Sequence, residues 1–197
     1  MTNNEFPFRA YAMEYGTFLG AAWAIVFFIY MSCLRTNNVI LQTIWLFSFL
    51  SLAVMPFLFA WRVKQLQPEG EHLGIARGLL FALNLFTFAC VLAGACEFFY
   101  FNYLDNGLFT DSISQILTNP ETSEIYKQAG LTDMYKQTQE VMDLLYKMTP
   151  FEKTEMFLYV NVITSMFMLI PVAIIASLTS KKHFRADMDG FKDNYQK

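Results

Sequence analysis

Charge is scarce in this sequence. Asp, Glu, Lys and Arg make up 16% of its 197 residues, where a soluble domain carries about 25%. Cysteine and histidine are few as well. Cys33, Cys90 and Cys96 lie in or at the ends of apolar runs, with no C-x-x-C pair. That placement suits small apolar packing residues and excludes a disulfide framework. His72 and His183 stand in separate polar segments. Without H-x-x-x-H or mixed Cys/His spacing, neither a metal site nor a metal cofactor is expected. The net charge of −3, with no basic patch interleaved with aromatics, excludes a nucleic-acid partner. No nucleophile–base pair or phosphate-binding loop stands out, so no enzyme activity and no catalytic residue is expected.

A cleaved leader is not expected either. Glu5 and Glu14 oppose the single basic Arg9, the first apolar run is long, and no A-x-A site follows it. "IYMSC" ahead of residue 34 is a weak lipoprotein box, because Tyr30 and Met31 are too bulky for one.

What the chain has instead is grease: 55% hydrophobic residues, 17% aromatics and 21 Phe. The missing charges are missing from four runs. Residues 15–34 have none; 39–61 have none but hold Pro56; 78–100 have Glu97 alone; 156–178 have none but hold Pro171. A hydrocarbon core needs about 20 apolar residues in a helix, and in lipid the backbone must satisfy its own hydrogen bonds. The expectation is an all-α membrane protein, one integral-membrane domain over residues 1–197 with four transmembrane helices in contact with the lipid bilayer. Pro56 and Pro171 are expected to kink their helices.

Orientation follows the bases. Arg62, Lys64 and Arg77 fall in the second link, and three more close the chain near "SKKHFR". Residues 104–155 hold four bases against nine acids. Both termini are therefore expected in the cytoplasm, with the acidic segment outside as an extracytoplasmic cap.

That segment carries helical pattern. "DSISQILTNPE" reads as a short helix from Asp111 that stops before Pro120, and a second runs from Pro120 to Gly130. A third, opened by Thr132 as N-cap and closed before Pro150, puts Leu131, Met134, Tyr135, Val141, Met142, Leu145 and Met148 on one side. Its apolar side can cap the bundle, meet a partner or second copy, or lie on lipid. With few lysines, the lipid reading is the weakest. If the face recognises a partner, Tyr135, Met142 and Leu145 are its first contacts.

Membrane helices associate through small residues and polar contacts. Gly16, Gly20 and Ala24 make one small stripe; Ala89 and Ala93 make another, beside Cys90 and Gly94; the fourth span offers Ala173 and Ser177, then Ala176 and Ser180. These stripes permit packing within the chain or a homo-oligomer. Ser48, Ser51, Asn84, Thr87, Thr164 and Ser165 are expected as hydrogen-bonding glue between helices. Glu97 and Asn161 form a candidate functional pair, since each lies a few residues inside the same end of its span. Glu97 has three readings: a water-facing anchor at the helix end, a buried partner of Asn161 or Cys33, or a proton- or ion-handling group.

"YGTFLG", "HLGIARGLLFAL", "FFYFNYLDNGLF", "MTPFE" and "ASLTSKK" occur in that order across almost the whole chain. In these elements the chain resembles an uncharacterised family of four-span bacterial inner-membrane proteins, a domain of unknown function. The resemblance implies the four-span layout and a helical insert between spans three and four. It implies no activity, cofactor or site residue. Asn106-Gly107 stands where relatives tend to carry a proline, so the local turn is expected to differ. The function expected is that of a scaffold or interaction protein of the bacterial cytoplasmic membrane. The alternative is a small oligomeric transporter or channel with Glu97 as its coupling carboxylate.

Overall fold

The computed structural model describes residues 7–36, 38–67, 74–120, 124, 126 and 128–178. His72, His183 and the basic tail lie outside them, as do residues 121–123, 125 and 127 of the helix expected from Pro120. The described residues form six main helices and no strand: α1 (Phe8–Thr36), α2 (Val39–Leu66), α3 (Ile75–Tyr103), α4 (Leu108–Thr118), α5 (Thr132–Lys147) and α6 (Pro150–Ser177). The helices α1, α2, α3 and α6 are each long and apolar enough to cross a membrane.

Each of these four outruns its apolar stretch. At 1.5 Å per residue, 28 or 29 residues reach about 42–44 Å, beyond a hydrocarbon core of about 30 Å. The surplus turns carry the polar ends: Arg9 in α1, Arg62 and Lys64 in α2, Arg77 in α3, and Glu152 and Lys153 in α6. Pro56 and Pro171 both lie inside unbroken helices.

Contacts divide the chain into two compact units. The first comprises the described residues of Met1–Ala22, Leu50–Val91 and Asn161–Lys197; the second comprises those of Trp23–Phe49 and Leu92–Val160.

The first unit is built on close backbone approach. A Cβ placed on Gly16 would lie 2.6 Å from the Leu85 carbonyl oxygen and 2.8 Å from Phe88 Cβ. One on Gly78 would lie 2.6 Å from the Ala173 carbonyl oxygen. Only a residue without a side chain lets these helices meet so closely, which is the use the small stripes suggested. Leu19, Ala60, Val63, Phe81, Leu85, Ala89, Val172 and Ala176 fill the buried interior around these contacts. Tyr15 stacks on Phe59 at 4.9 Å between ring centroids.

The polar residues of this unit mostly serve their own helices. Asn84 Nδ2 donates to the Leu80 carbonyl at 2.7 Å, and Thr87 Oγ1 donates to that of Leu83 at 2.8 Å. Both were expected to bridge helices. A carbonyl one turn back is nearer and satisfies the donor within the helix. Ser165 does bridge: its hydroxyl donates to the Asn161 carbonyl at 2.7 Å and meets Cys90 Sγ at 3.5 Å. The sequence reading missed Gln67, which closes α2 by donating to the Ala176 carbonyl at 3.0 Å.

The second unit is built on rings. Phe27, Met31, Phe101, Phe109, Met142 and Leu145 form its buried cluster. Phe27 meets Phe157 at 5.3 Å, and Phe109 meets Phe101 and Phe157 at 5.6 Å each, with interplanar angles of 67–81°. Such edge-on pairs contribute about 0.5–1.5 kcal/mol each beyond simple burial. In this way α1, α3, α4, α5 and α6 share one core.

Candidate functional site

The polar centre of the second unit grows out of "NYLDNG". The α3 helix ends when the amides of Leu104 and Asp105 both donate to the Tyr100 carbonyl, at 2.8 and 2.9 Å. Asn106 and Gly107 then take left-handed φ values of 43° and 85°, a turn that glycine makes without strain. The turn starts α4 at Leu108, three residues ahead of the expected Asp111.

Asp105 serves two helices at once. Its Oδ1 accepts from the Phe109 amide at 2.8 Å, capping the first turn of α4, where the helix dipole favours a carboxylate. Its Oδ2 accepts from Lys153 Nζ at 3.2 Å, and Lys153 also donates to Thr110 Oγ1 at 3.0 Å. Asp105 is 2% exposed and Lys153 8%.

Lys153 is held in place by the start of α6. The Thr149 amide and hydroxyl donate to Glu152 Oε2 at 2.7 and 2.9 Å, while the Glu152 amide donates back to Thr149 Oγ1 at 3.3 Å. This is a reciprocal capping box with Pro150 at the first helical position. It fixes the first turn of α6, so the next residue, Lys153, is aimed at Asp105. Both carboxylate oxygens are occupied and the ammonium is shared between two acceptors. The pair fastens the start of α6 to the start of α4. Removing one partner of such a buried pair costs about 3–5 kcal/mol, although an apolar pair of similar volume can replace both.

The α5 helix packs on the aromatic cluster of the same unit. Leu131, not Thr132, stands at its N-cap, and no side chain caps it there. Met142 and Leu145 are buried in the aromatic cluster, so they serve the chain's own core. Tyr135 is half-buried, and its hydroxyl donates to the Leu117 carbonyl at 3.3 Å. Tyr146 donates to Asp111 Oδ1 at 3.3 Å. Of the three residues expected as partner contacts, two are covered and one is tied to α4. Besides Tyr146, α5 leaves open one shoulder beside that buried face: Met134, Val141 and Leu144, at 52%, 53% and 60% exposure.

Glu97 is 3% exposed, two turns before α3 ends. Its carboxylate is enclosed by protein rather than turned to water, which does not suit the anchor reading. It belongs to the second unit, while Asn161, half-buried, belongs to the first.

A cleft of about 590 Å³ lies in the second unit. Helix α1 lines it with Tyr30, Cys33 and Leu34; α2 with Gln42, Trp45 and Leu46; α4 and its C-cap with Ser112, Gln115, Ile116 and Asn119. Cys33, Cys90 and Cys96 are all unbridged.

Residues 14–182 match the family described as "Protein of unknown function (DUF4199)". No curated protein and no solved structure matches the chain.

Proposed function

The chain belongs to the DUF4199 family, and from that membership and the geometry above we propose that it is a non-enzymatic interaction protein of the bacterial cytoplasmic membrane. Both termini face the cytoplasm, and the insert bearing α4 and α5 faces outward. The insert is a recognition element, held rigid by the Asp105–Lys153 pair and the aromatic cluster. Its docking edge is the shoulder of Met134, Val141 and Leu144, and the occupant is an apolar segment of another membrane protein or of a second copy.

One observation carries this reading. After Met142 and Leu145 are buried, α5 still presents three large apolar residues along one edge, more than half exposed. Asp133, Glu140 and Asp143 on the same helix disfavour insertion into an anionic membrane surface.

The test is site-specific photo-crosslinking from position 144 in native membranes, with position 143 on the polar side as control. The reading expects a discrete crosslinked protein from 144 and none from 143. Crosslinks to lipid alone, or equal labelling at both positions, would count against it. Cysteine labelling that placed residues 133 and 190 in one compartment would overturn the orientation.

Burial of Glu97 inside a spanning helix favours one second reading, an oligomeric channel or transporter with Glu97 as its coupling group. That reading requires solute flux in proteoliposomes that Glu97→Gln abolishes; flux indifferent to the substitution removes it.

A further inference from the structure

The cleft beside α4 is a separate feature, independent of any partner at α5. Helix α4 divides into two faces by its own periodicity. Phe109, Ile113 and Leu117 turn into the aromatic core. Ser112, Gln115 and Ile116 turn into the cleft. The rest of the lining is Tyr30, Cys33 and Leu34, then Gln42, Trp45 and Leu46, from the end of one apolar run and the start of the next. The cleft therefore lies at the level where an apolar stretch gives way to polar chain, and its lining changes character in the same way.

Among the described residues, none that lines the cleft is charged. Arg35 and Asp111 each stand one position from a lining residue, and neither contributes to the wall. The volume falls in the range of small-molecule sites, about 300–1,000 Å³. Apolar groups from Leu34, Trp45 and Leu46 beside hydroxyl and amide groups, with no ion among the described residues to pair, fit a neutral amphiphile. The aliphatic part would lie against Leu34, Leu46 and the Trp45 ring. The head would exchange hydrogen bonds with Ser112 and Gln115. A phosphate or ammonium head would find no counter-charge among the described lining residues.

We propose that this cleft is a binding site for an uncharged glycerolipid, a molecule with acyl chains and a hydroxyl-bearing head that carries no phosphate. The site selects by the absence of charge rather than by its presence.

The experiment uses the full chain in neutral detergent, with Trp23 and Trp61 replaced by Phe so that Trp45 alone reports. Dioctanoylglycerol is titrated, with dioctanoylphosphatidylglycerol and decane as the comparison arms. The expected result is a saturable change in Trp45 emission with dioctanoylglycerol. The anionic lipid and the alkane are expected to bind at least about tenfold more weakly. The double variant Ser112→Ala, Gln115→Leu is expected to weaken the glycerolipid by about tenfold, as loss of two modest hydrogen bonds implies. Gln115 is exposed, and circular dichroism of each variant confirms folding. A diazirine-bearing diacylglycerol added to the unaltered protein should label peptides within 30–46 and 112–119. Equal response to decane would show a greasy crevice without head recognition and overturn the proposal. Preference for the anionic lipid, or labelling elsewhere on the chain, would overturn it as well.

Discussion

The two compact units use the same four long helices and hold them by different means. In the first, backbone meets backbone at Gly16 and Gly78, and the contacts are close because side chains are missing there. In the second, phenylalanine rings fill the space, and a buried ion pair fastens a helical insert to it. The difference follows from what each unit must join. Spanning helices with apolar faces need only shape, because lipid offers no hydrophobic drive between them. A helix such as α4, entering from a tight turn, has unsatisfied first-turn amides and a strongly polar side. It needs directional groups, and Asp105 and Lys153 supply them.

This contrast can be broken most severely at Lys153. Lys153→Met leaves the Asp105 carboxylate buried without its cation and should lower stability by about 3–5 kcal/mol, measured by thermal or denaturant unfolding in detergent. Adding Asp105→Leu should recover most of that loss. The shortfall should be about 1 kcal/mol, because Asp105 also caps α4. If the double variant is no better than the single, the pair is not the main coupling between these positions.

Gly16→Ala should come next. Its new methyl would press on the Leu85 carbonyl, and overpacking of this kind costs about 1–3 kcal/mol. The same substitution at Gly74, which has open space around it, is the control and should be nearly neutral in packing terms. Thr149→Ala should cost about 1 kcal/mol by opening the cap of α6. Phe167→Ala should fall within about 0.5 kcal/mol despite removing a whole ring. Phe167 is 80% exposed, on a helix long and apolar enough to cross a membrane.

The same contrast explains what the sequence made legible. Helices that bury in lipid announce themselves by the absence of charge, so all four long helices were readable, as was the use of glycine and alanine between them. The amphipathic period of α5 was readable too, but not which part of its apolar side the chain itself would cover. Met142 and Leu145 looked like the strongest contacts for a partner because they lie at the centre of that face, and for the same reason they are buried in the chain's own core. The Asp105–Lys153 pair was the hardest to see. The two residues stand 48 positions apart, and "FEKTE" has the composition of an ordinary solvated helix start. The signals that could have pointed to the pair were "NYLDNG", with an aspartate four residues ahead of Phe109, and Thr149 three residues ahead of Glu152. Together they mark two helix starts, and the group linking them is the lysine next to the second cap. Glu97 misled in the opposite direction, because nearness to a helix end suggested water, while burial depends on neighbours from other helices.

Amide hydrogen exchange in detergent, comparing Lys153→Met with the unaltered chain, tests the division of labour most directly. The account predicts that α4 and α5 lose protection by about tenfold or more while the stretch around Gly16 and Leu19 exchanges as before. Unchanged protection of α4 and α5, or the same loss along every helix, would contradict it.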